Sequence, residues 1–394
     1  MLRERLRIAV IGGGGHVGLP LSLVLAEEGY QVTVIDIDET RLQDLRENKF
    51  PFLERGGEEL LHKTKEFDIQ YTSDFSTISN QEVIIFTVGT PVDEHLNPSY
   101  NALYSALDTI KPHIRNGQTF IMRSTLFPGT SDRIKALLKK DGFDVGVSFC
   151  PERIAQGYAI EEIRSLPQII SGDSEKSVAI AKQIFGKIAS SVVEVSIEEA
   201  EIAKLFTNTW RYIKFSIANQ FYMLAEEKGL DFGKIHNAIT YNYPRANDFP
   251  KAGFAAGPCL FKDTMQLAAY SRNNFHLGHS AMLINEGLPN FLVEKAKKIT
   301  SLEGKNVGIL GMAFKPNNDD FRESLAYKLK RLLEYENAEV YCTDVYIKDP
   351  RFVNLNEMME RCDVIFVGCP HNEYRELNMT GKLLVDCWDT FPQK

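Results

Sequence analysis

Apolar runs of strand length alternate with helix-like stretches through the first half of the chain. Helix-like segments such as Leu19–Glu28 and Ser131–Lys140 lie between these runs. Continuous apolar strands that alternate with helices are typical of a parallel sheet covered on both faces. The pattern therefore predicts a large N-terminal α/β domain. Its predicted strands are Arg7–Ile11, Gln31–Ile35, Glu82–Val88, Thr119–Arg123, Val145–Phe149, Gln168–Ser171 and Val192–Val195.

The alternation stops at a helix start signal. Ser196 and Glu199 have the spacing of a capping box, in which the two side chains satisfy each other's backbone amides. No glycine or proline follows until Gly229, so the segment predicts a helix of about 32 residues, roughly 48 Å long. Its apolar residues cover more than one stripe and must be buried against other surfaces. We predict a connecting spine that also forms a dimer contact.

Strand-like runs return near the C-terminus and predict a second, smaller α/β sheet. The chain is therefore divided into an α/β domain (1–195), a central helical domain (196–300) and a small α/β domain (301–394). The predicted strands of the small domain are Asn306–Leu310, Glu339–Thr343, Asp363–Gly368 and Leu383–Cys387.

The composition is that of a globular protein. Of 394 residues, 44% are hydrophobic and 25% are charged, which excludes a disordered, collagen-like or membrane-spanning chain. The net charge of −8 means that the chain has no excess of basic residues, so nucleic acid is not an expected partner. The N-terminal apolar run is too short for a signal peptide or a membrane span. We expect a soluble protein of the reducing cytoplasm, with no membrane partner.

A glycine-rich turn follows the first predicted strand. Gly13, Gly15 and Gly18 have the spacing G-x-G-x-x-G, and Asp36 ends the second predicted strand 18 residues after Gly18. The glycines permit a tight turn and close approach to a pyrophosphate, while the following helix offers free amides. An acidic group at the position of Asp36 binds the ribose hydroxyls and repels a 2′-phosphate. The turn thus predicts a Rossmann-like domain that binds NAD rather than NADP.

Two neighbouring features have alternative interpretations. Asp36 could be an ordinary strand-end aspartate, but the strand, turn and helix context favours ribose binding. Arg41 lies either against the adenine or in solvent on its helix. In the small domain, the sequence Gly308-Ile-Leu-Gly311 lacks the fingerprint spacing, which predicts a simple strand-end turn rather than a second NAD site.

Polar residues stand at four places where they could support chemistry. Cys150-Pro-Glu152-Arg153 follows the fifth predicted strand, and ligands gather at the carboxyl ends of parallel strands. Lys204 and Asn208 are four residues apart and share a helix face, although such a lysine is usually solvated. Glu152 could likewise be a surface-loop residue. The other two places are Gly257–Thr264 and Gly311–Ser324.

Cys259 differs from the other cysteines in its surroundings. It is flanked by glycine, proline, Lys262 and Asp263, and a cationic neighbour favours the nucleophilic thiolate. The chain contains no Cys-x-x-Cys pair, so neither a zinc knuckle nor a thioredoxin-type site is indicated. The remaining cysteines lie in or beside strand-like runs and are predicted to be inert core thiols. They are Cys150, Cys342, Cys362, Cys369 and Cys387.

Taken in order, these stretches resemble the UDP-glucose/GDP-mannose dehydrogenases, the nucleotide-sugar 6-dehydrogenases. The resemblance covers nearly the whole chain, and eight short motifs in the family's order are together highly specific. The motifs are GGGHVGLPL, VTVIDID, FTVGTPVDEH, RSTLFPGT, CPERIAQG, EIAKLFTNTWR, GPCLFKDT and GMAFKPNNDDFRES.

The resemblance implies an oxidation of the C6 alcohol of a UDP-sugar to a carboxylate, with two NAD and no metal. Cys259 attacks the C6 aldehyde to give a thiohemiacetal, whose oxidation gives a thioester. Lys204 and Asn208 stabilise the oxyanion. The implied catalytic residues that handle water and protons are Asp263, Glu152 and Thr125.

The resemblance also implies the binding residues and the biological setting. The implied role of the small domain is to bind the nucleotide sugar, and the product supplies polysaccharide biosynthesis. The cofactor-binding residues are Gly13, Gly15, His16, Val17, Gly18, Asp36, Arg41, Thr90, Thr125, Lys262 and Arg322. The substrate-binding residues are Glu152, Lys204, Asn208, Arg245, Phe314 and Lys315, with Arg245 reaching its site across a homodimer interface built on the long helix.

Three departures leave the sugar open. Arg123 stands where many members have an acidic residue, Gly257-Pro258 replaces the usual Gly-Gly or Gly-Ser, and the chain is shorter than many relatives. UDP-glucose and a UDP-N-acetylhexosamine are comparable candidates, and GDP-mannose is less favoured. His276 and His279 are the one closely spaced histidine pair, and they lack a third ligand for a metal.

Two other functions fit the same layout. One is a single-step dehydrogenase of the hydroxyacid or 6-phosphogluconate type, which needs no cysteine. The other is a non-catalytic sensor of nucleotide sugars or NADH.

Overall fold

The structure is a computed structural model that describes residues 5–90, 92–93 and 99–391. The chain folds into two compact units, Met1–Phe206 (the first unit) and Thr207–Lys394 (the second unit). The boundary lies inside the long helix. The division into three domains made from the sequence stays a prediction.

Parallel strands form the centre of the first unit. Within the described residues, six strands make one sheet in the order β3-β2-β1-β4-β5-β6, so the strand order reverses between β1 and β4. Ligands bind at such a reversal in open α/β sheets. The strands are β1 (Arg7–Ile11), β2 (Gln31–Ile35), β3 (Ile69–Thr72), β4 (Val83–Phe86), β5 (Thr119–Met122) and β6 (Gly146–Phe149).

The predicted strand set was wrong in two respects. β3 was not predicted, and β7 (Gln168–Ile170) pairs with β8 (Val192–Glu194) in a separate sheet. β3 is an edge strand with mixed burial and an exposed Gln70, so it lacks the apolar run of the central strands. Glu152 therefore follows the sixth strand of the chain and not the fifth.

Alternate residues of β1 are buried on opposite faces of this sheet. Ile8 and Val10 pack into a core that includes α1, whereas Ala9 and Ile11 pack into a core that includes α4 and α5. The expected two-sided cover of the sheet is confirmed. The α-helices are α1 (Gly18–Glu27), α2 (Glu39–Arg46), α3 (Gly57–His62), α4 (Asn101–Ile110), α5 (Thr130–Lys140), α6 (Ala159–Ser165) and α7 (Glu175–Ile188), with 3₁₀ turns at Lys63–Glu66, Phe75–Asn80 and Lys111–His113.

The predicted long helix is confirmed as α8 (Ile197–Glu227). The backbone N–H of Ser196 donates to Glu199 Oε2 at 2.8 Å, and the backbone N–H of Glu199 donates to Ser196 Oγ at 3.3 Å. This is the reciprocal pattern of a capping box. Among the described residues, no helix is both long enough and apolar enough to cross a membrane.

Glu201 fastens the first turns of α8 to the start of α5. Its buried carboxylate accepts the backbone N–H groups of Gly129 at 2.6 Å and Ser131 at 2.9 Å, and also the Ser131 hydroxyl at 2.7 Å. Burial raises the pKa of Glu201, although these hydrogen bonds oppose the rise. A carboxylate at a helix N-terminus satisfies free amides and meets the positive end of the helix dipole.

The second unit combines the remaining helices with the small sheet. Leu288 and Leu292 of α11 share one core with Ile309 of β9 and Leu329 of α12. This shared core explains why the region predicted as a central domain and the small α/β domain form one compact unit. The helices are α9 (Phe232–Thr240), α10 (Leu260–Tyr270), α11 (His276–Lys297), α12 (Leu325–Tyr335) and α13 (Leu355–Arg361), with a 3₁₀ turn at Asn372–Tyr374.

The small sheet is parallel, as predicted. Its strand order in the described part of the chain is β10-β9-β11-β12. The α/β fold with an N-terminal sheet, a long central helix and a smaller C-terminal sheet is confirmed. The strands are β9 (Asn306–Leu310), β10 (Glu339–Thr343), β11 (Val364–Val367) and β12 (Leu383–Val385).

The Glu201 contact gives a first testable prediction. Glu201→Gln is expected to destabilise the protein by about 1–3 kcal/mol, because the new amide NH₂ would face a buried N–H donor. Urea unfolding followed by circular dichroism measures the change. Glu227→Gln is the control, since Glu227 is exposed on the same helix and should cost less than about 0.5 kcal/mol. Equal losses in the two variants would contradict the anchoring role.

Candidate active site

Two glycines of the fingerprint are required by the packing of the turn itself. A Cβ on Gly13 would lie 2.7 Å from the carbonyl oxygen of Val10, and a Cβ on Gly18 would lie 2.5 Å from the carbonyl oxygen of Gly12. Both distances are below any real contact, so a larger residue would push α1 away from β1. These glycines give the close approach of helix and strand that the motif predicts.

Gly15 differs, because the fold does not require it. A Cβ there would meet, among the described residues, only the Gly12 carbonyl oxygen at 3.4 Å, and Gly15 is not among the residues with a left-handed backbone. The space that a side chain would fill lies at the N-terminal end of α1. A pyrophosphate approaching this turn would occupy such space, so the residues present fit a dinucleotide.

Asp36 and Arg41 both flank the glycine turn. Asp36 Oδ2 accepts the backbone N–H of Gly14 at 2.9 Å, and Arg41 Nη1 donates to the carbonyl oxygen of Gly14 at 3.4 Å. Arg41 is therefore held at the turn and does not extend freely into solvent. His16 follows two residues after Gly14, and its ring packs on the Phe52 ring with the ring centroids 3.9 Å apart.

The loops after β4 and β5 are joined by a side chain. The Thr90 hydroxyl donates to the carbonyl oxygen of Thr125, and both residues are buried. Two predicted cofactor residues thus meet at the carboxyl ends of adjacent strands. In the motif FTVGTPVDEH, Pro91 and residues 94–95 lie outside the described residues.

Glu152 is buried, so the surface-loop alternative was wrong. One carboxylate oxygen accepts the backbone N–H groups of Arg153 at 2.7 Å and Ile154 at 3.0 Å. The other forms an ion pair with Arg123, whose side chain is 1% exposed. From the sequence, Arg123 stood out as a departure from the family pattern, but its contact with Glu152 was not predicted.

Asn208 and Cys259 are brought together through Asp263. Cys259 lies directly before α10 and accepts the Asp263 backbone N–H on its carbonyl oxygen at 2.9 Å. The buried Asp263 carboxylate accepts a hydrogen bond from Asn208 Nδ2 at 2.5 Å. Lys262 Nζ lies 3.6 Å from the same carboxylate. The second unit therefore places a cysteine and a carboxylate at the start of α10, and a hydrogen bond joins that carboxylate to an amide on α8.

Lys204 and Asn208 lie one turn apart on α8. Only 8% of Lys204 and 4% of Asn208 are exposed, so the solvated-face alternative was wrong for both. Arg211, which continues the row, is exposed.

The turn before Cys259 packs against the loop that follows β9. The backbone N–H of Gly257 donates to the carbonyl oxygen of Glu323 at 3.2 Å. Gly257 has φ +98°, and a Cβ there would lie 2.5 Å from the Phe314 ring. Glycine is therefore required here both by the backbone conformation and by the ring. The same loop holds Lys315, whose Nζ is 5.9 Å from the Phe314 ring centroid.

Arg322 belongs to the same neighbourhood. Asp320 holds it through two hydrogen bonds, from Nε at 2.9 Å and from Nη2 at 2.6 Å. The hydrogen bonds with Asp320 raise the pKa of Arg322, and the charge of Cys259 contributes in the same direction. Arg322 therefore lies within electrostatic reach of Cys259.

The turn after β9 is closed by an aspartate of its own domain. Asp344 Oδ2 accepts the backbone N–H groups of Met312 at 2.6 Å and Ala313 at 3.1 Å, and His371 Nε2 lies 3.1 Å away. Burial alone would raise the pKa of Asp344, but the hydrogen bond from His371 helps to lower it. Asp344 fills the position where an anion would meet this turn. Its signal in the sequence, an aspartate directly after the second strand of the domain, was not recognised.

Arg245 lies elsewhere in the second unit. It is exposed and lines a cleft with Trp210, Phe221 and Phe249. The cleft is lined mainly by apolar residues, and three of them are aromatic.

The six cysteines, all within the described residues, separate by exposure. Cys259 is exposed and the other five are buried. Burial raises the pKa of Cys150 to about 12 and that of Cys342 and Cys362 to about 11, and it raises the pKa of Cys369 and Cys387 as well. The buried thiols are therefore poor nucleophiles. In the described part of the chain, no group of three or more histidine, cysteine or acidic residues is placed to hold a metal.

The two kinds of glycine give a matched prediction. Gly15→Ala should leave the unfolding free energy unchanged but weaken NAD binding by about tenfold or more, since its methyl group would occupy pyrophosphate space. Gly18→Ala should destabilise the protein, because its Cβ meets the Gly12 carbonyl. Calorimetric titration with NAD and urea unfolding separate the two effects. If Gly15→Ala binds NAD normally, the assignment of the glycine turn as the pyrophosphate site is wrong.

Sequence models of three domains of one family match this chain. The NAD-binding domain of the UDP-glucose/GDP-mannose dehydrogenase family matches residues 6–189. The central domain matches residues 198–287, and the UDP-binding domain matches residues 308–393. The predictions of the family and of NAD as cofactor are confirmed.

Individual relatives agree with the family models. The chain is 32% identical over 379 residues to the UDP-N-acetyl-D-mannosamine dehydrogenase of Methanocaldococcus jannaschii, covering 94% of this chain and 87% of that protein. It is 28% identical over 350 residues to a UDP-glucose 6-dehydrogenase of Bacillus subtilis, covering 86% and 79%. The structure of the UDP-D-ManNAc dehydrogenase of Pyrococcus horikoshii matches with a TM-score of 0.92 at 26% identity, covering 99% and 97%. The chain therefore belongs to the UDP-glucose/GDP-mannose dehydrogenase family.

Proposed function

We propose that this protein is an NAD-dependent dehydrogenase that oxidises the C6 alcohol of a UDP-sugar to a carboxylate. The observation that carries the proposal is the Asn208–Asp263 hydrogen bond beside the exposed Cys259. A nucleophile, a carboxylate and an amide that bonds to that carboxylate are the parts that covalent oxidation of an aldehyde needs. Family membership and the UDP-binding domain support the substrate class.

The proposed reaction passes through a covalent adduct on Cys259. The glycine turn of Gly13, Gly15 and Gly18 would hold NAD, which would supply the hydride acceptor for each of two oxidation rounds. The first round removes a hydride and a proton from the C6 alcohol and leaves the aldehyde. Cys259 Sγ then forms a bond to C6, and the Lys204 ammonium and the Asn208 amide stabilise the oxygen that becomes negative. The second round removes a hydride and a proton from this thiohemiacetal and leaves a thioester.

Hydrolysis completes the proposed cycle. Water adds to the thioester carbon, the carbon–sulfur bond breaks, and the sugar carboxylate and the free thiol are released. Glu152 and Asp263 accept and pass on the protons of that water, while Thr125 orders it. A four-electron oxidation that uses one dinucleotide site must retain the aldehyde between hydride transfers, which the sulfur bond does.

The binding roles proposed from the sequence have structural support in part. Phe314 and Arg322 lie beside the turn that carries Cys259, which suits groups that hold the nucleotide sugar and the cofactor phosphates. Lys315 in the same loop offers a second cation, and Lys262 stands next to Asp263. We assign the remaining cofactor contacts to the glycine turn with Val17, Asp36 and Arg41.

The names of the relatives guide the choice of sugar. The relative from M. jannaschii is a UDP-N-acetyl-D-mannosamine dehydrogenase and shares 32% identity, whereas the relative from B. subtilis that acts on UDP-glucose shares 28%. We therefore propose a UDP-N-acetylhexosamine as the substrate and UDP-glucose as the second candidate. Location in the cytoplasm and supply of uronates for polysaccharide biosynthesis complete the proposal.

NADH formation tests this function directly. Purified protein with NAD and UDP-N-acetylmannosamine, UDP-N-acetylglucosamine, UDP-N-acetylgalactosamine, UDP-glucose or GDP-mannose should give two NADH per sugar oxidised with its preferred substrate. Absorbance at a fixed sugar concentration, run to completion, measures the ratio. A ratio of one would favour the single-step dehydrogenase. A thermal shift by the sugar without any NADH would favour the sensor.

Substitution of the nucleophile is the second part of that test. Cys259→Ser is expected to lower turnover by about 10³-fold or more, because the hydroxyl cannot replace the thiolate as nucleophile and leaving group. Cys342→Ala is the control, since Cys342 is a buried thiol on β10 and should leave turnover unchanged. Full activity in Cys259→Ser would contradict the covalent mechanism.

We further propose a homodimer built on α8. In the part of the helix that belongs to the second unit (207–227), four large apolar residues are exposed by 40–56% and share one side, at intervals of seven, four and three residues. We call them the apolar stripe: Trp210, Ile217, Phe221 and Leu224. A two-fold axis would pair the stripe with itself, as in most homo-oligomers. Arg245 lies in the cleft beside Trp210 and Phe221, so this face would carry it towards the partner subunit.

Sedimentation velocity tests the dimer. Trp210→Glu is expected to convert the dimer to monomer, because it buries an unpaired charge in the contact. Arg211→Glu is the control, since it makes a larger charge change on the next, exposed residue and should leave the dimer intact. A wild-type protein that sediments as a monomer at micromolar concentration would contradict the proposal.

A further inference from the structure

Arg123 is a deeply buried charged side chain that contacts the proposed catalytic residue Glu152. It directly follows β5, and only 1% of its side chain is exposed. Nη1 donates to the carbonyl oxygen of Cys150 at 3.2 Å and to Gln168 Oε1 at 3.0 Å, and Nη2 pairs with Glu152. The guanidinium also lies over the Phe185 ring, 4.8 Å from its centroid. These contacts fix the guanidinium from several directions.

Glu152 is fixed just as firmly from the other side. Its Oε1 accepts the backbone N–H groups of Arg153 and Ile154, and its own backbone N–H donates to the carbonyl oxygen of Arg123 at 3.2 Å. Gln168 secures the same segment, because its Nε2 donates to the carbonyl oxygen of Pro151 at 3.0 Å. The carboxylate therefore has one orientation, and the ion pair sets it.

A buried ion pair loses the hydration energy of both charges, so its presence here needs an explanation. A buried charge pair adds little net stability over apolar residues of the same size, since both groups lose their hydration. Removal of one partner leaves the other charge unpaired, which the protein interior tolerates poorly. The Arg123 cation thus balances the charge of the Glu152 carboxylate and fixes the orientation of that carboxylate.

We propose that Arg123 is a positioning residue that holds Glu152 as an oriented anion for thioester hydrolysis. This inference deepens the proposed function and rests on it. An ion-paired carboxylate accepts a hydrogen bond from water but has no proton to donate. Water then attacks the acyl carbon, and the carbon–sulfur bond breaks. One proton of the water stays on the Cys259 thiol. The other proton is released to solvent, and the product leaves as a carboxylate. The two hydride transfers do not need this water and proceed without Arg123.

Rapid mixing with NAD and the preferred UDP-sugar tests the division between oxidation and hydrolysis. Arg123→Met should still release a burst of two NADH per active site, followed by steady turnover at least about tenfold slower than wild type. Mass spectrometry of the quenched protein should find the sugar acyl adduct on the Cys259 peptide. Hydroxylamine should restore the steady rate, because it cleaves the thioester without activated water.

A double-mutant comparison separates positioning from a general loss of folding. Glu152→Gln alone should give the same burst and slow phase. In the Glu152→Gln background, Arg123→Met should slow turnover by less than about twofold further, since residues that act through one another are not additive. Arg123→Lys keeps the charge and should recover part of the steady rate. Arg164 of the same unit is half-buried and pairs with Glu27, away from Glu152, so Arg164→Met should leave burst and steady rate unchanged.

The outcomes that contradict the inference are distinct. If Arg123→Met lowers the burst and the steady rate by one common factor, and no adduct accumulates, Arg123 supports the fold alone. Multiplicative effects of Arg123→Met and Glu152→Gln would show that the two residues act separately. Either result, with normal wild-type turnover, overturns only the role of Arg123. If the wild-type protein forms no NADH with any nucleotide sugar, the proposed function itself fails and this inference falls with it.

Discussion

The proposed site depends on contacts made by α8, whose period of 3.6 residues places different contacts on different sides of the helix. Glu201, Lys204 and Asn208 follow each other at three and four residues and form a single row. Glu201 ties that row to the start of α5, and Asn208 ties it to Asp263. The apolar stripe runs along a different side.

Buried carboxylates fix the turns and helix starts around the proposed site. Glu201, Glu152 and Asp344 each accept at least two backbone N–H groups from a turn or a helix start. Backbone N–H groups that leave regular structure must find a partner when they are buried. A carboxylate offers two oxygens and binds them more strongly than a neutral acceptor does. The loops around the proposed site therefore gain a fixed shape from single side chains rather than from secondary structure.

Local patterns in the sequence predicted the elements with strong periodicity. The central strands are continuous apolar runs, the glycine turn has a fixed spacing, and the capping box of α8 spans three residues, so each could be read without knowledge of the fold. The edge strand Ile69–Thr72 could not, because edge strands need no apolar run. The pairing of Arg123 with Glu152, 29 residues apart, arises only when β5 and β6 lie side by side. The shared core of α11 and the small sheet likewise depends on tertiary packing.

An aspartate follows the second strand of each domain along the chain, and the two aspartates accept different hydrogen bonds. They are Asp36 after β2 and Asp344 after β10. Asp36 accepts the backbone N–H groups of Gly14 and Asp38. Asp344 receives four backbone N–H groups and the His371 ring, so its oxygens are committed to the fold of its own domain. The turn after β9 is thereby filled by a protein carboxylate where a dinucleotide domain would meet pyrophosphate. A four-electron oxidation at the one dinucleotide site proposed here must use that site twice. An intermediate that stays bonded to Cys259 while the cofactor is exchanged is the chemical consequence.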